Sequence, residues 1–451
     1  MNDTIVALAT APGVGAIAVV RLSGENCIAL AAELFAGKDL RTQASHSVHF
    51  GNLMDGDYLV DEVLATVFKN PHSFTKEDSV ELSCHGSPYI VNRIIQLLVR
   101  SGARLAEPGE FTQRAYLNGR FDLAQAEAVA DLIASENEAA HATALNQMRG
   151  GISNEIKNLR EKLVHFASMI ELELDFSEED VEFASREELK ALIEKIDVVL
   201  VQLIDSFQLG NVIKNGVPVV IVGKPNAGKS TLLNALLEEE KAIVSDIAGT
   251  TRDIIEDELN INGVKFRFID TAGLRETKDQ IEAIGVERAE QKMQEASLIM
   301  YLFDLSTESS EVIHQTEQML QDKGKPYILV GNKLDKIEKE EVALSENEHY
   351  VSISAKSKDG VDRLKKLIWT KSQMDNFQPG NVVVTNARHY QSLVNTQNSL
   401  HDVLKGIDNK ITNDFMAQDI RHALHFLGEI TGEITTDDLL ANIFSKFCIG
   451  K

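Results

Sequence analysis

The chain has 451 residues, 43% hydrophobic and 25% charged. That excludes a disordered, collagen-like or disulfide-scaffold protein and, at roughly 150 residues per domain, suggests about three domains. Its 45 Lys and Arg against 69 Asp and Glu give a net charge of −24, so any RNA contact must rest on a local patch or a partner. The three cysteines, Cys27, Cys84 and Cys448, are far apart and odd in number, as expected of a reduced, cytoplasmic protein. Met1-Asn2-Asp3-Thr4 lacks the basic and apolar regions of a signal peptide. The apolar stretch 298–305 is shorter than the roughly 20 residues of a membrane helix, so no membrane association is expected. Cys448 stands at prenylation spacing, but Gly450 and Lys451 do not suit that motif and no polybasic run precedes them.

Residues 1–118 predict a mixed α/β domain. β-branched runs such as Ile17-Ala18-Val19-Val20 and Ala65-Thr66-Val67-Phe68 are broken by Gly, Asn and Pro turns, with one apolar helix over 90–99. From 119 to 212 the texture is helical: Leu159, Leu163, Phe166, Ile170 and Leu174 recur at helical spacing. From 213 to 376 short apolar strands (219–222, 265–269, 298–303, 327–330 and 350–353) alternate with helical segments, which predicts a mostly parallel sheet covered on both faces. Helical texture returns over 377–451. The α/β unit therefore reads as an insertion into one helical domain built from both flanks.

The inserted segment carries the chemistry. Gly223-Lys224-Pro225-Asn226-Ala227-Gly228-Lys229-Ser230 matches G-x-x-x-x-G-K-[ST] between a strand and a helix. Its glycines let backbone N–H groups close around phosphates at a helix N-terminus. Lys229 is expected on the β- and γ-phosphates and Ser230 on Mg²⁺, with Asn226, Ala227, Gly228 and Thr231 completing the loop. Four stretches follow in the order of a Ras-like P-loop GTPase. Gly249-Thr250-Thr251 offers Thr251 as a second Mg²⁺ hydroxyl. Asp270-Thr271-Ala272-Gly273 ends a strand, placing Asp270 toward Mg²⁺ through water and the Gly273 N–H toward the γ-phosphate. Asn332-Lys333-Leu334-Asp335 offers the Asp335 carboxylate to guanine N1–H and N2–H₂, which adenine lacks. Ser354-Ala355-Lys356 supplies backbone and a cationic stem beside the base. In Ras a water-orienting Gln follows the Asp-x-x-Gly motif; here Leu274 does, so a group elsewhere must act, and Glu276, Asp279 and Glu282 are the carboxylates nearby. Asn226 could help coordinate a monovalent cation beside the phosphates and offset developing charge.

These loops, together with Asp246-Ile247-Ala248-Gly249-Thr250-Thr251-Arg252-Asp253, Asp270-Thr271-Ala272-Gly273-Leu274-Arg275-Glu276 and the end Phe447-Cys448-Ile449-Gly450-Lys451, resemble the MnmE (TrmE) family of tRNA uridine modification GTPases. The resemblance spans the whole chain, including Pro108-Gly109-Glu110-Phe111-Thr112-Gln113-Arg114-Ala115 and Asp122-Leu123-Ala124-Gln125-Ala126-Glu127-Ala128. It implies an N-terminal folate-binding and dimerisation domain, a helical domain and an inserted GTPase domain. It further implies a homodimer that works with the FAD-containing protein MnmG, in a heterotetramer or larger complex, on the wobble uridine of tRNA. By similarity Arg21, Glu81, Arg120 and Lys451 match the 5-formyltetrahydrofolate positions; Arg120 stands where the family often has Lys. Asn226, with backbone groups of Ser245, Ile247 and Thr250, matches the K⁺ site, Ser245 to Ala248 (with Asp246) join the GTP set, and Glu282 matches the water-organising glutamate.

Three candidates remain. Cys448 is a possible nucleophile or redox thiol, with no neighbouring His to lower its pKa. His422 and His425, with Asp419, have helical spacing that fits half-buried packing better than a metal. Cys84-His85-Gly86 lacks the second pair a zinc site needs. The competing function is a regulatory GTPase of ribosome or RNP assembly, which would usually append a basic RNA-binding domain. Here the flanks are acidic or neutral, with five carboxylates over 175–182.

Overall fold

In the computed structural model, which describes residues 3–175, 185–238, 257–269, 290–337, 348–372, 381–409 and 411–450, the β-branched runs of the N-terminal region form one sheet. Its strands are β1 (Ile5–Leu8), β2 (Ile17–Ser23), β3 (Phe35–Ala36), β4 (Ser47–Asp55), β5 (Tyr58–Phe68), β6 (Ser79–His85) and β7 (Arg104–Leu105), in the order β3-β4-β5-β6-β2-β1-β7. All pairs are antiparallel except β1 with β7. Strand residues alternate between faces. Val20, Leu22, Val63, Ala65, Val80 and Leu82 bury one face against α1 (Cys27–Leu34) and α2 (Pro88–Arg100), the helix expected over 90–99. The alternate residues of β2 and β6, among them Arg21 and its cross-strand partner Glu81, point the opposite way. Helix α3 (Glu110–Leu117) is fixed by an ionic cluster around the buried Arg114 and Glu110: Arg114 Nη2 reaches Asp3 Oδ1 at 2.7 Å and Glu110 Oε1 at 2.9 Å, and Arg104 Nη2 reaches Glu110 Oε1 at 2.6 Å.

The helical stretch resolves into α4 (Leu123–Ile133), α5 (Glu138–Met148), α6 (Gly151–Asp175) and α7 (Arg186–Asn215). The periodic Leu159, Leu163 and Ile170 are buried, as a helix that presents one stripe to a neighbour requires. Among the described residues α7 alone is long and apolar enough to cross a membrane, by length and composition only. Its apolar residues Leu189, Ile193, Ile196 and Leu200 are buried within the protein.

The second sheet comprises β8 (Val217–Val222), β9 (Asp257–Ile261), β10 (Val264–Ile269), β11 (Leu298–Asp304), β12 (Tyr327–Asn332) and β13 (Tyr350–Ser352), in the order β13-β12-β11-β8-β10-β9. Only β9 with β10 is antiparallel. The near-continuous apolar strands are buried on both faces, as parallel strands are. Helices α8 (Lys229–Glu238), α9 (Ser310–Asp322) and α10 (Val361–Lys371) belong to this unit. The C-terminal helices are α11 (Ala387–Asp408), α12 (Asn413–Thr431) and α13 (Asp437–Phe444), with α12 packed along α6. The chain divides into two compact units, one of residues 1–133, 147–197 and 392–451, the other of 134–146 and 198–391. The α/β and all-α mixture is the fold class expected from the sequence.

Candidate functional site

In a parallel sheet ligands bind beyond the C-terminal ends of the strands, where order reverses. Here β8 lies between β11 and β10, and the loop after β8 is the glycine-rich one. It opens α8 at Lys229, so the unpaired N–H groups of the first helical turn face the loop. The loop is shaped by left-handed backbone at Asn226, φ +65°, and Gly228, φ +99°. A β-carbon on Gly228 would sit 2.3 Å from Asn332 Nδ2, and one on Gly223 would sit 2.0 Å from the Leu302 carbonyl oxygen. Only glycine lets these neighbours close in. Lys229 curls over the loop, its Nζ donating to the carbonyls of Gly223 at 2.7 Å and Lys224 at 3.0 Å. Burial lowers its pKa, a cost that an arriving phosphate would reverse. Ala227 is buried, Ser230 is half-buried and Thr231 is exposed.

The stretches expected from the sequence to recognise the base follow β12 and β13. Asn332 is buried and joins three loops: its Nδ2 donates to the Ala227 carbonyl at 2.8 Å and its Oδ1 accepts from the Ala355 N–H at 3.0 Å. It thereby links phosphate loop and base loop, a role the motif alone does not reveal. Asp335 is exposed at the mouth; its Oδ1 accepts from Ser354 Oγ at 2.7 Å, a hydrogen bond that holds its pKa below the usual carboxylate range. Asp335 is therefore an anion with an oxygen left to accept from a base. Lys333 has φ +67° and its Nζ lies 2.6 Å from Asp304 Oδ2. Lys356 is exposed. Ser245, Asp246, Ile247, Ala248, Gly249, Thr250, Thr251, Asp270, Thr271, Ala272, Gly273 and Glu282 lie outside the described residues, as do Leu274, Glu276 and Asp279.

A second cluster lies on the first sheet. The cross-strand pair Arg21 and Glu81 closes an ion pair at 2.8 Å, Nη2 to Oε1. Both line a cavity of about 530 Å³ together with Arg120, His46, His72 and Lys76. Phe74 organises its cations: the Arg120 guanidinium lies 5.0 Å and that of Arg21 5.6 Å from the ring centroid. Arg120 also donates to the Ser73 carbonyl at 2.5 Å, and among the described residues no carboxylate pairs with it. Burial lowers its pKa, so the cavity presents a partly desolvated cation suited to an anionic ligand. Three of the four residues expected at a folate site thus share one cavity; Lys451 lies outside the described residues. Phe74, His46 and His72 also line or border this cavity but lie in connecting segments, where no periodicity marks them; the clustering of His72-Ser73-Phe74 after Pro71 is the one local signal for two of them.

The remaining candidates are less promising. Cys448 is exposed and its carbonyl accepts from the Gly109 N–H at 3.4 Å. Cys84 is buried, which pushes its thiol up to about 11, and His85 Nδ1 is taken by Asp61 at 2.7 Å. His422 and His425 are exposed on α12 rather than half-buried, because the packing stripe of that helix is Ile420, Ala423 and Leu427.

A family model described as GTP-binding protein TrmE N-terminus matches residues 4–120, and one described as the MnmE helical domain matches 123–448. The tRNA modification GTPase MnmE of Cytophaga hutchinsonii is 59% identical over all of this chain and 98% of its own length. Those of Christiangramia forsetii and Bacteroides thetaiotaomicron are 52% and 50% identical over the full length of both chains. With a phosphate loop, a base loop and an N-terminal sheet built as described, the chain belongs to the MnmE family of tRNA modification GTPases, enzymes that hydrolyse GTP.

Proposed function

We propose that this GTPase couples K⁺-stimulated GTP hydrolysis to carboxymethylaminomethyl or aminomethyl modification at C5 of the tRNA wobble uridine. In this reading it acts in the cytoplasm as a homodimer, in complex with the FAD protein MnmG. FAD belongs to the partner, and tRNA is engaged mainly through the complex. The observation that supports a single nucleotide site is the junction at Asn332, which ties Ala227 of the glycine-rich loop to Ala355 beside Asp335.

The residues present fit a nucleotide with its ions. The Gly228 cradle would be filled by any β-carbon, and Ser230 lies in the first turn of a helix whose unpaired N–H groups face the loop. Ser230 and Thr251 would hold Mg²⁺, which supplies charge neutralisation between phosphates when bound. Asn226, with Ser245, Ile247 and Thr250, would hold K⁺. On this chain's side Lys229 binds the phosphates, Asp335 accepts from guanine, and Glu282 organises water in place of the Gln that Leu274 replaces. The cavity of Arg21, Glu81 and Arg120 would bind 5-formyltetrahydrofolate or a related tetrahydrofolate, the one-carbon donor: the guanidiniums suit a glutamyl carboxylate and Glu81 suits a pterin amine. Hydrolysis in K⁺ should exceed that in Na⁺ by about ten-fold or more, since loss of one transition-state charge contact costs on the order of 2.7–4 kcal/mol. Asn226→Ala should remove the difference while GTP affinity changes little. A rate indifferent to the cation would refute the K⁺ assignment.

A further inference from the structure

Both halves of the nucleotide site lean on one short turn. Strand β11 ends at Asp304, which stands opposite Asn332 in the parallel register of β11 and β12. The next N–H, of Leu305, donates to the Asn332 carbonyl at 3.0 Å, so turn and base loop are joined backbone to backbone. The Asp304 carboxylate is divided. Its Oδ1 accepts from the Ser306 N–H at 3.0 Å and the Ser306 hydroxyl at 2.7 Å, while Oδ2 accepts from the Lys333 ammonium at 2.6 Å. A carboxylate held on one oxygen cannot follow a mobile lysine; it fixes the lysine instead. Lys333 needs fixing, because its φ of +67° is a conformation disfavoured for a residue with a β-carbon. The pair is shielded, with side-chain exposures of 14% for Asp304 and 23% for Lys333. Four residues on, Glu308 reaches the Lys224 ammonium of the phosphate loop at 2.7 Å, but Lys224 is 59% exposed and that contact is weak.

We propose that Asp304 is a positioning residue of the guanine site: without touching nucleotide, it anchors the Lys333 ammonium and so holds the left-handed turn between Asn332 and Asp335 in shape. The proposal rests on Asp335 being the guanine contact. The two residues differ in chemistry. In that reading Asp335 reads a donor pattern and discriminates bases, whereas Asp304 acts only on the shape of the loop, which every purine entering it shares. Loss of Asp304 should therefore weaken binding of all purines that enter the loop, without slowing chemistry at the distant γ-phosphate.

The test uses the full chain and the variants D304N, D304E, K333M, the double variant D304N/K333M, and D335N as a control. It measures GTP and ITP hydrolysis and equilibrium GDP binding. D304N should raise KM for GTP and for ITP, and Kd for GDP, by one common factor of about ten, with kcat changed less than about two-fold. D304E should recover most of the loss. K333M should match D304N, and the double variant should be no worse than either single, since both remove one interaction. Unchanged KM and Kd in D304N, with D335N still weakening GTP, would overturn the proposal and leave the guanine site standing. Additive losses in the double variant, or a fall in kcat as large as the rise in KM, would also overturn it. If D335N itself binds GTP normally, the guanine-site assignment fails and the proposal with it.

Discussion

In the proposed reading Asp335 carries the choice of base through a single carboxylate. Its ionised form would accept two donors from guanine, and the hydrogen bond from Ser354 lowers its pKa below the usual carboxylate range. Asp335→Asn should weaken GTP binding strongly and admit xanthosine triphosphate, which restores the complementary pattern; equal affinity of the parent for ATP and GTP would contradict the assignment. At the other end of the nucleotide, Glu282 is assigned by family resemblance and lies outside the described residues. Glu282→Ala should lower kcat by roughly 10²-fold or more with KM little changed, the signature of an interaction made only in the transition state. Glu276→Ala and Asp279→Ala should do much less. Steady-state kinetics of the three in K⁺ buffer decide it; a normal rate in Glu282→Ala alongside failure of another variant moves the role to that residue.

Strands and loops set these residues in place, and they were unequally legible. The parallel strands could be read because their apolar runs are continuous, and the phosphate loop because its glycines are dictated by close neighbours such as Asn332 and Leu302. The joining role of Asn332 and the Asp304–Lys333 pair were not legible. They depend on β11 and β12 being adjacent in the sheet, which no local spacing encodes. The same holds for the N-terminal cavity: Arg21 and Glu81 are 60 residues apart in sequence and meet only through the register of β2 and β6. Without the resemblance each reads as a surface charge. If that cross-strand pair and Arg120 form the folate site, Arg21→Ala and Arg120→Ala should each weaken 5-formyltetrahydrofolate binding about ten-fold or more, as loss of a charge-assisted hydrogen bond does. GTP hydrolysis should be unaffected. Calorimetric titration checks this, and unchanged affinity in both variants would remove folate from the cavity.

Across the whole molecule, the net charge of −24 argues against a chain that grips RNA by bulk electrostatics, in keeping with the proposal that tRNA is engaged through a complex. In the proposed function, GTP hydrolysis at the loops joined by Asn332 drives modification of tRNA uridine. The most direct measurement is the nucleoside composition of tRNA from cells lacking this chain and complemented with either the parent or Lys229→Ala. The modified wobble uridine should disappear without the chain, return with the parent, and stay absent with Lys229→Ala even when that variant accumulates to the parental level. Modified uridine persisting without the chain, or restored by Lys229→Ala, would contradict it.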